Sequence, residues 1–188
     1  MRRAILRLAW VVLMLAAAGL VGCGEIGSEK AERPKGGTPS PAPAHSFEPV
    51  LASVAQVDAE IAKEKGKVVL VDFWATWCPP CIESFPNLVR HHNTYASRGL
   101  VVIAVNMGYR DSPEKARDFL KRQDATFTCY FLKDADEQDE KLLESRFRHP
   151  HSIPHAVLFD KAGNRVWAGN PLEDPRRMEE RIERELAK

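Results

Sequence analysis

Four cysteines are too few, and too unevenly spaced, to staple together a small disulfide-built fold, so each needs its own explanation. Charge of one sign is also lacking. The formal net charge of +1 supplies no global field to draw in nucleic acid or an anionic membrane, and no nucleic-acid partner is expected. The alternation of Lys and Arg with acids near the C-terminus reads as a solvated helix face. Residues 8–21 are uncharged and apolar, but the run is too short for an ordinary membrane-spanning helix. There is no second C-x-x-C and no internal repeat. What remains is a chain of 188 residues, 44% hydrophobic, which fits one domain with a core of ordinary size and extra segments at its ends.

The first segment is an address. Arg2, Arg3 and Arg7 precede the apolar run, which ends in Leu20-Val21-Gly22-Cys23. This pattern resembles a bacterial lipoprotein signal, which implies that Cys23 becomes the first residue of the mature chain and carries the lipid. The alternative is an uncleaved N-terminal anchor that ends near a cysteine. Either reading places the domain outside the cytoplasm and tethers it to a membrane, periplasm-facing in a Gram-negative host. Gly24 rather than Asp after the cysteine leans, by resemblance to Gram-negative lipoproteins, towards the outer membrane. Residues 24–46 are rich in Gly, Pro, Ser, Glu and Lys and cannot bury enough apolar surface to fold. The expected organisation is therefore a signal peptide at 1–22, a lipid-anchored tether at 23–46 and a folded domain at 47–188.

Within that domain, apolar residues at 50, 51, 54, 57 and 61 follow the helical period and predict a helix over 50–65, stopped by Gly66. Val68-Val69-Leu70-Val71 predicts a strand buried on both faces within 67–75. A helix follows from Cys78 to about Ser97, and a second buried strand covers 100–106. Ser112 can cap a helix and Pro113 suits its first turn, giving a helix to about Gln123. A short strand at 127–132, a helix at 138–147, and strands at 156–159 and 165–168 joined by a hairpin-type turn come next. A helix over 174–187 closes the chain. Strands alternating with helices, then a hairpin, predict an α/β fold with a mixed central sheet and helices on both faces. In such a sheet, functional groups gather at strand ends, and residues 73–81 leave the first buried strand at one.

Trp77-Cys78-Pro79-Pro80-Cys81 carries the chemistry. Two cysteines two residues apart at a helix start can close a small disulfide ring. The first meets the unsatisfied N–H groups and positive end of the helix, which favour a thiolate and bring such thiols down to about 3.5–7.5. Cys78 is therefore the expected attacking thiol and Cys81, further into the helix, the resolving one. A lone C-x-x-C also occurs as half of a zinc site. Here no second half exists, and two prolines fit the opening of a helix, where their missing N–H groups cost little.

The segment Val71-Asp72-Phe73-Trp74-Ala75-Thr76-Trp77-Cys78-Pro79-Pro80-Cys81 resembles the active-site segment of thioredoxins and of the membrane-attached TlpA-like reductants. Pro86 matches their helix proline, Ile153-Pro154 resembles their cis-proline loop, and 160–163 with the following strand and Gly169 resembles their closing hairpin. The resemblance covers about residues 50–188. It implies the thioredoxin fold, dithiol–disulfide exchange without a cofactor or metal, and a substrate-binding face of Trp77, Pro79, Ile153 and Pro154. Departures exist. The chain is read as beginning with a helix, where TlpA-like proteins begin with an extra hairpin. Ser84 stands where they often carry Glu, and Asp72 where they often carry Asn.

Several residues have two readings. Asp72 interrupts an apolar strand. It is either an exposed or hydrogen-bonded structural carboxylate or, by resemblance, the buried acid that takes the proton of Cys81. Trp74 and Trp77 are core aromatics, or, in the case of Trp77, a shield over the disulfide. Pro154 is an ordinary loop proline, or the cis residue that offers the Ile153 backbone to an extended substrate. Cys129, among aromatics, reads as a buried small hydrophobe rather than a third redox thiol. His149, His151 and His155 are loop histidines or a copper-handling cluster, and His155 could stabilise the Cys78 thiolate. His91 and His92 read as surface residues.

The leading expectation is a reductant of disulfides in extracytoplasmic proteins, fed by an upstream membrane electron donor. The resemblance suggests apocytochrome c cysteines or copper-centre assembly proteins as substrates. No His lies inside the C-x-x-C, unlike in strong oxidants of this fold. A copper-binding chaperone using the dithiol and the histidines is the alternative.

Overall fold

A computed structural model describes residues 47–133 and 135–188. The signal peptide, Cys23 and the tether expected at 1–46 lie outside the described residues. Among the described residues, no helix is long and apolar enough to cross a membrane.

The chain order is β1 (Val50–Ala52), α1 (Val54–Lys63), β2 (Val68–Trp74), α2 (Pro79–Tyr95), β3 (Leu100–Asn106), α3 (Pro113–Arg122), β4 (Thr128–Leu132), α4 (Glu137–Phe147), β5 (His155–Phe159), β6 (Arg165–Gly169) and α5 (Pro175–Leu186). A short 3-10 turn, Ala96–Arg98, extends α2. The strands form one sheet in the order β1-β4-β3-β2-β5-β6. β1, β4, β3 and β2 are parallel to one another, β5 is antiparallel to β2, and β6 is antiparallel to β5. The expected mixed sheet with helices on both faces is the one found.

One expectation fails at the start of the domain. Residues 50–52 are a strand, paired with Tyr130–Leu132, and the helix begins only at Val54. The apolar spacing from 50 to 61 fits a helix, but Ser53 interrupts it. Its hydroxyl accepts from the Gln56 N–H while the Gln56 side chain accepts from the Ser53 N–H, a capping box that fixes where the helix starts. Asp139 of α4 then accepts from the Val54 N–H at 2.9 Å, satisfying another free donor of that helix end.

The period-2 alternation of β2 divides the core. Val69, Val71 and Phe73 face α1 and α4, meeting Val57, Ile61, Leu143 and Phe147. Leu70 and Trp74 face α2, α3 and α5, meeting Phe85, Phe119 and Ile182. Trp74, Phe85 and Phe119 lie with ring centroids 4.9 Å apart pairwise. Each such pair contributes about 0.5–1.5 kcal/mol beyond its buried area, and together they seat α2 against the end of β2. Asp72 shares this second face.

Candidate active site

β2 ends at Trp74, and α2 begins five residues later, at Pro79. Cys78 is the N-cap of α2, with Pro79 and Pro80 in the first turn, so no N–H is wasted there. Cys78 and Cys81 form a disulfide with Cα atoms 5.3 Å apart. The Cys78 sulfur accepts from the Cys81 N–H at 3.2 Å. In the dithiol form, the same donor and the helix end favour negative charge on this sulfur. Cys78 is 3% exposed and Cys81 1%, so the first cysteine is only slightly the more accessible.

Around the sulfur lie three supports. The Ile153–Pro154 peptide is cis, and the Cys78 sulfur lies 3.8 Å from the Ile153 carbonyl oxygen. Trp77 stands out from the surface at 45% exposure, its indole N–H donating to the Tyr109 carbonyl and its ring edge-on to Tyr109. Pro79 is exposed beside it. Ile153 borders the sulfur, exposed Trp77 and Pro79 flank Cys78 along the chain, and Pro154 is buried. Beyond Trp77 opens a cleft of about 650 Å³, lined by Tyr109, Glu140, His149, His151 and Ile153 among others.

Asp111 holds this loop, and sequence reasoning missed it. Its carboxylate accepts from the Thr76 N–H at 2.7 Å and hydroxyl at 2.6 Å, from Asn106 Nδ2 at 2.9 Å and from the Ser112 N–H at 2.9 Å. Burial alone would raise its pKa, but the bonds from Thr76, Asn106 and Ser112 outweigh it and hold the carboxyl below its ordinary value. The end of β3 and the start of α3 are thereby tied to the residue two places before Cys78. Gly108 lets the connecting loop pass: its φ is +71°, and a Cβ there would sit 2.1 Å from the Leu132 carbonyl oxygen. The missed signal was Asp111, a short acidic side chain directly before the Ser112-Pro113 helix start.

Asp72 is 5% exposed, and burial pushes its carboxyl up to about 8. Cys129 is buried, its thiol pushed up to about 12 chiefly by desolvation, as a small core hydrophobe would be. Trp74 is a core residue.

The histidines differ from expectation. His155 does not serve the Cys78 sulfur. Its ring lies on the α1–α4 side of the sheet against Phe73, with Nε2 3.0 Å from the Phe147 carbonyl. His149 is buried too, its Nδ1 accepting from the His151 N–H, and desolvation together with its histidine neighbours lowers its pKa to about 3. His151 pairs with Glu140 and Glu144 at the surface. Among the described residues, no group of three His, Cys, Asp or Glu side chains is placed to hold a metal ion. His91, expected at the surface, is buried against Tyr95 and the N-terminal part of α5, because it falls on the inward stripe of α2 with Ser84, Leu88 and Tyr95.

A family model described as Redoxin matches residues 39–186. The chain belongs to the Redoxin family. Among curated proteins, this redoxin is similar to Thiol:disulfide interchange protein HelX of Rhodobacter capsulatus, 32% identical over 118 residues, which is 61% of this chain and 62% of that one. Thiol-disulfide oxidoreductase ResA of Bacillus subtilis is 29% identical over 107 residues, covering 57% of this chain and 55% of ResA. The redoxin thus spans less than two thirds of the length of these relatives. A crystal structure of a thiol:disulfide interchange protein of the thioredoxin family from Chlorobium tepidum superposes with a TM-score of 0.54 at 25% identity, over 66% of this chain and 83% of that one. The fold is the thioredoxin fold of the TlpA-like group, as the resemblance implied.

Proposed function

We propose that this redoxin is an extracytoplasmic, lipid-anchored thiol–disulfide oxidoreductase that reduces disulfides in other proteins. The observation that carries the reading is the Cys78–Cys81 pair at the start of α2, with the Cys78 sulfur facing the Ile153 carbonyl. The names of the relatives HelX and ResA support the same chemistry.

The reaction begins with the dithiol form. The Cys78 thiolate attacks one sulfur of a substrate disulfide, the substrate S–S bond breaks, and its other sulfur leaves as a thiolate. Cys81 then loses its proton to Asp72 and attacks the Cys78 sulfur. The mixed disulfide breaks and the second substrate thiolate leaves. Two electrons have passed to the substrate, and the Cys78–Cys81 disulfide remains for an upstream membrane donor to reduce. A base acts best when its pKa lies near the working pH, which the buried position of Asp72 achieves. The substrate segment lies extended along Ile153, pairing with its backbone, while Trp77 and Pro79 border the reacting sulfur and the cleft beside Tyr109 receives flanking side chains.

Location rests on the sequence alone. Cys23 carries the lipid and residues 24–46 give the domain reach. The Cys23→Ser variant is expected to move from the membrane fraction to the soluble one and to retain reduction of insulin disulfides, with dithiothreitol as donor, at the rate of the anchored protein. Retention in the membrane fraction would refute the anchor. A soluble form without reductase activity would refute the separation of tether from chemistry.

A further inference from the structure

Asp72 receives a proton in each turnover and must lose it before the next. It is 5% exposed, and burial is what raises its carboxyl. Its neighbour across the sheet on β3 is Ala104, so no cation faces it there. The nearby Cys129 is a neutral thiol. What adjoins the carboxyl on its own face of the sheet therefore decides how its proton leaves.

One cavity touches it. On the α2 side of the sheet, a space of about 30 Å³ is lined by Asp72, by Ser84, Asn87 and His91 of α2, and by Pro175 and Met178 of α5 among others. About 10–15 Å³ suffices for one water, provided two to four polar groups hold it. Asp72, Ser84, Asn87 and His91 supply them. The Ser84 hydroxyl donates to the Cys81 carbonyl at 3.0 Å, which leaves its oxygen free to accept. His91 is itself 5% exposed, and its Nδ1 is buried without any partner. The unpartnered ring nitrogen and the buried acid thus line one small cavity, whose walls apart from Ser84 and Asn87 are apolar, Leu70, Leu88, Ala156 and Met178 among them.

We propose that His91 is the proton outlet of Asp72: a water in this cavity bridges the Asp72 carboxyl to His91 Nδ1 and carries away the proton taken from Cys81. The proposal rests on the reading of Asp72 as the base of the resolving step. The protonated carboxyl donates to the water, the water donates to Nδ1, and the imidazole releases a proton from its other nitrogen. The charged groups acting on the ring are Arg90 on its own helix and Glu179 on α5. Glu179 is bonded by Arg90 at 2.9 Å and by the Tyr95 hydroxyl, which also reaches Glu183. Burial, with Arg90, lowers the His91 pKa to about 4 against the pull of Glu179. The ring is thus neutral between turnovers, its Nδ1 is free to accept, and charge does not stay trapped on it. His91 is a positioning and relay residue: it touches neither the sulfurs nor the substrate.

The test uses an aromatic disulfide, 5,5′-dithiobis(2-nitrobenzoate), with the dithiol form of the full domain. The first thionitrobenzoate appears when Cys78 attacks and the second when Cys81 resolves, so the two steps are read as separate phases. His91→Gln keeps the size and polarity of the side chain but cannot relay by protonation, whereas His91→Ala empties its place. We expect His91→Gln to leave the first phase unchanged and to slow the second about fivefold or more near pH 7, less than the roughly hundredfold loss of the base itself. We expect added imidazole to restore the second phase of His91→Ala. An unchanged second phase in His91→Gln, beside a slowed one in Asp72→Asn, would overturn the relay and leave the base in place. A second phase unaffected in Asp72→Asn would overturn the base itself. Equal slowing of both phases, without rescue by imidazole, would make His91 a packing residue only and overturn the proposal.

Discussion

Cys81→Ser is expected to turn a fleeting mixed disulfide into one that survives purification. Release from Cys78 depends on a second sulfur held three residues away on the same helix turn, with Cα atoms 5.3 Å apart. A well-oriented internal group acts with an effective concentration of about 10⁵ M or more, which no thiol in solution can match. Without it, the bond between Cys78 and a substrate persists until an outside thiol arrives. The adduct should be visible as a mass increase equal to the attached protein, sensitive to dithiothreitol, and its partner would identify the natural substrate. Cys78→Ser should trap nothing comparable, because only the Cys78 sulfur sits at the N-cap, where the helix end and the Cys81 N–H favour the thiolate. Adducts through Cys129 are not expected either, since that thiol is buried and is pushed up to about 12. Equal trapping by Cys78→Ser, or adducts mapped to Cys129, would reverse the assignment of roles.

Asp72→Asn is expected to stabilise the fold while impairing the chemistry. Burial raises the Asp72 carboxyl to about 8, so the folded state resists ionising it. For a raised group, the associated stability is fully present below the unfolded carboxylate range near about 4 and is lost as pH rises through about 8. Each pH unit in that window costs the folded wild type about 1.4 kcal/mol. Asn carries no such slope. Urea unfolding of the oxidised proteins should therefore show little difference at pH 4 and an advantage for the variant that grows to several kcal/mol by pH 8. The same variant should slow resolution by about a hundredfold, in the range of a lost general base, and should lose any rise of that step through pH 8. Stability profiles that run parallel across this range would contradict the burial of an ionisable group at this site.

Most of the architecture was legible because it rests on strong local patterns. β2 and β3 are buried strands rich in Val and Ile and stand where they were expected. Ser112 and Asp174 cap their helices through their side chains, with Pro in the following turn. The three-residue β1 is too short to carry a period, and its pairing with β4 is a long-range event that nothing in 50–52 announces. The cysteines and the proline loop were read from motif and resemblance, and they meet at the Cys78 sulfur. The Asp111 latch, the burial of His91 and the turning of His155 towards Phe147 depend on which face of an element packs against which neighbour. Single residues in a chain do not reveal this, since a helix such as α2 has two candidate stripes until its partners are known.

The central claim is that Cys78 and Cys81 form one redox couple poised to donate electrons. The direct measurement is the reduction potential of that couple, obtained by equilibrating the domain in dithiothreitol buffers, quenching with an alkylating reagent and weighing the oxidised and reduced fractions. The account predicts a single two-electron transition near the thioredoxin end of the scale, about −270 mV, confined to Cys78 and Cys81. A transition near about −120 mV would make the protein an oxidant, and the absence of any transition at these two cysteines would contradict the mechanism outright.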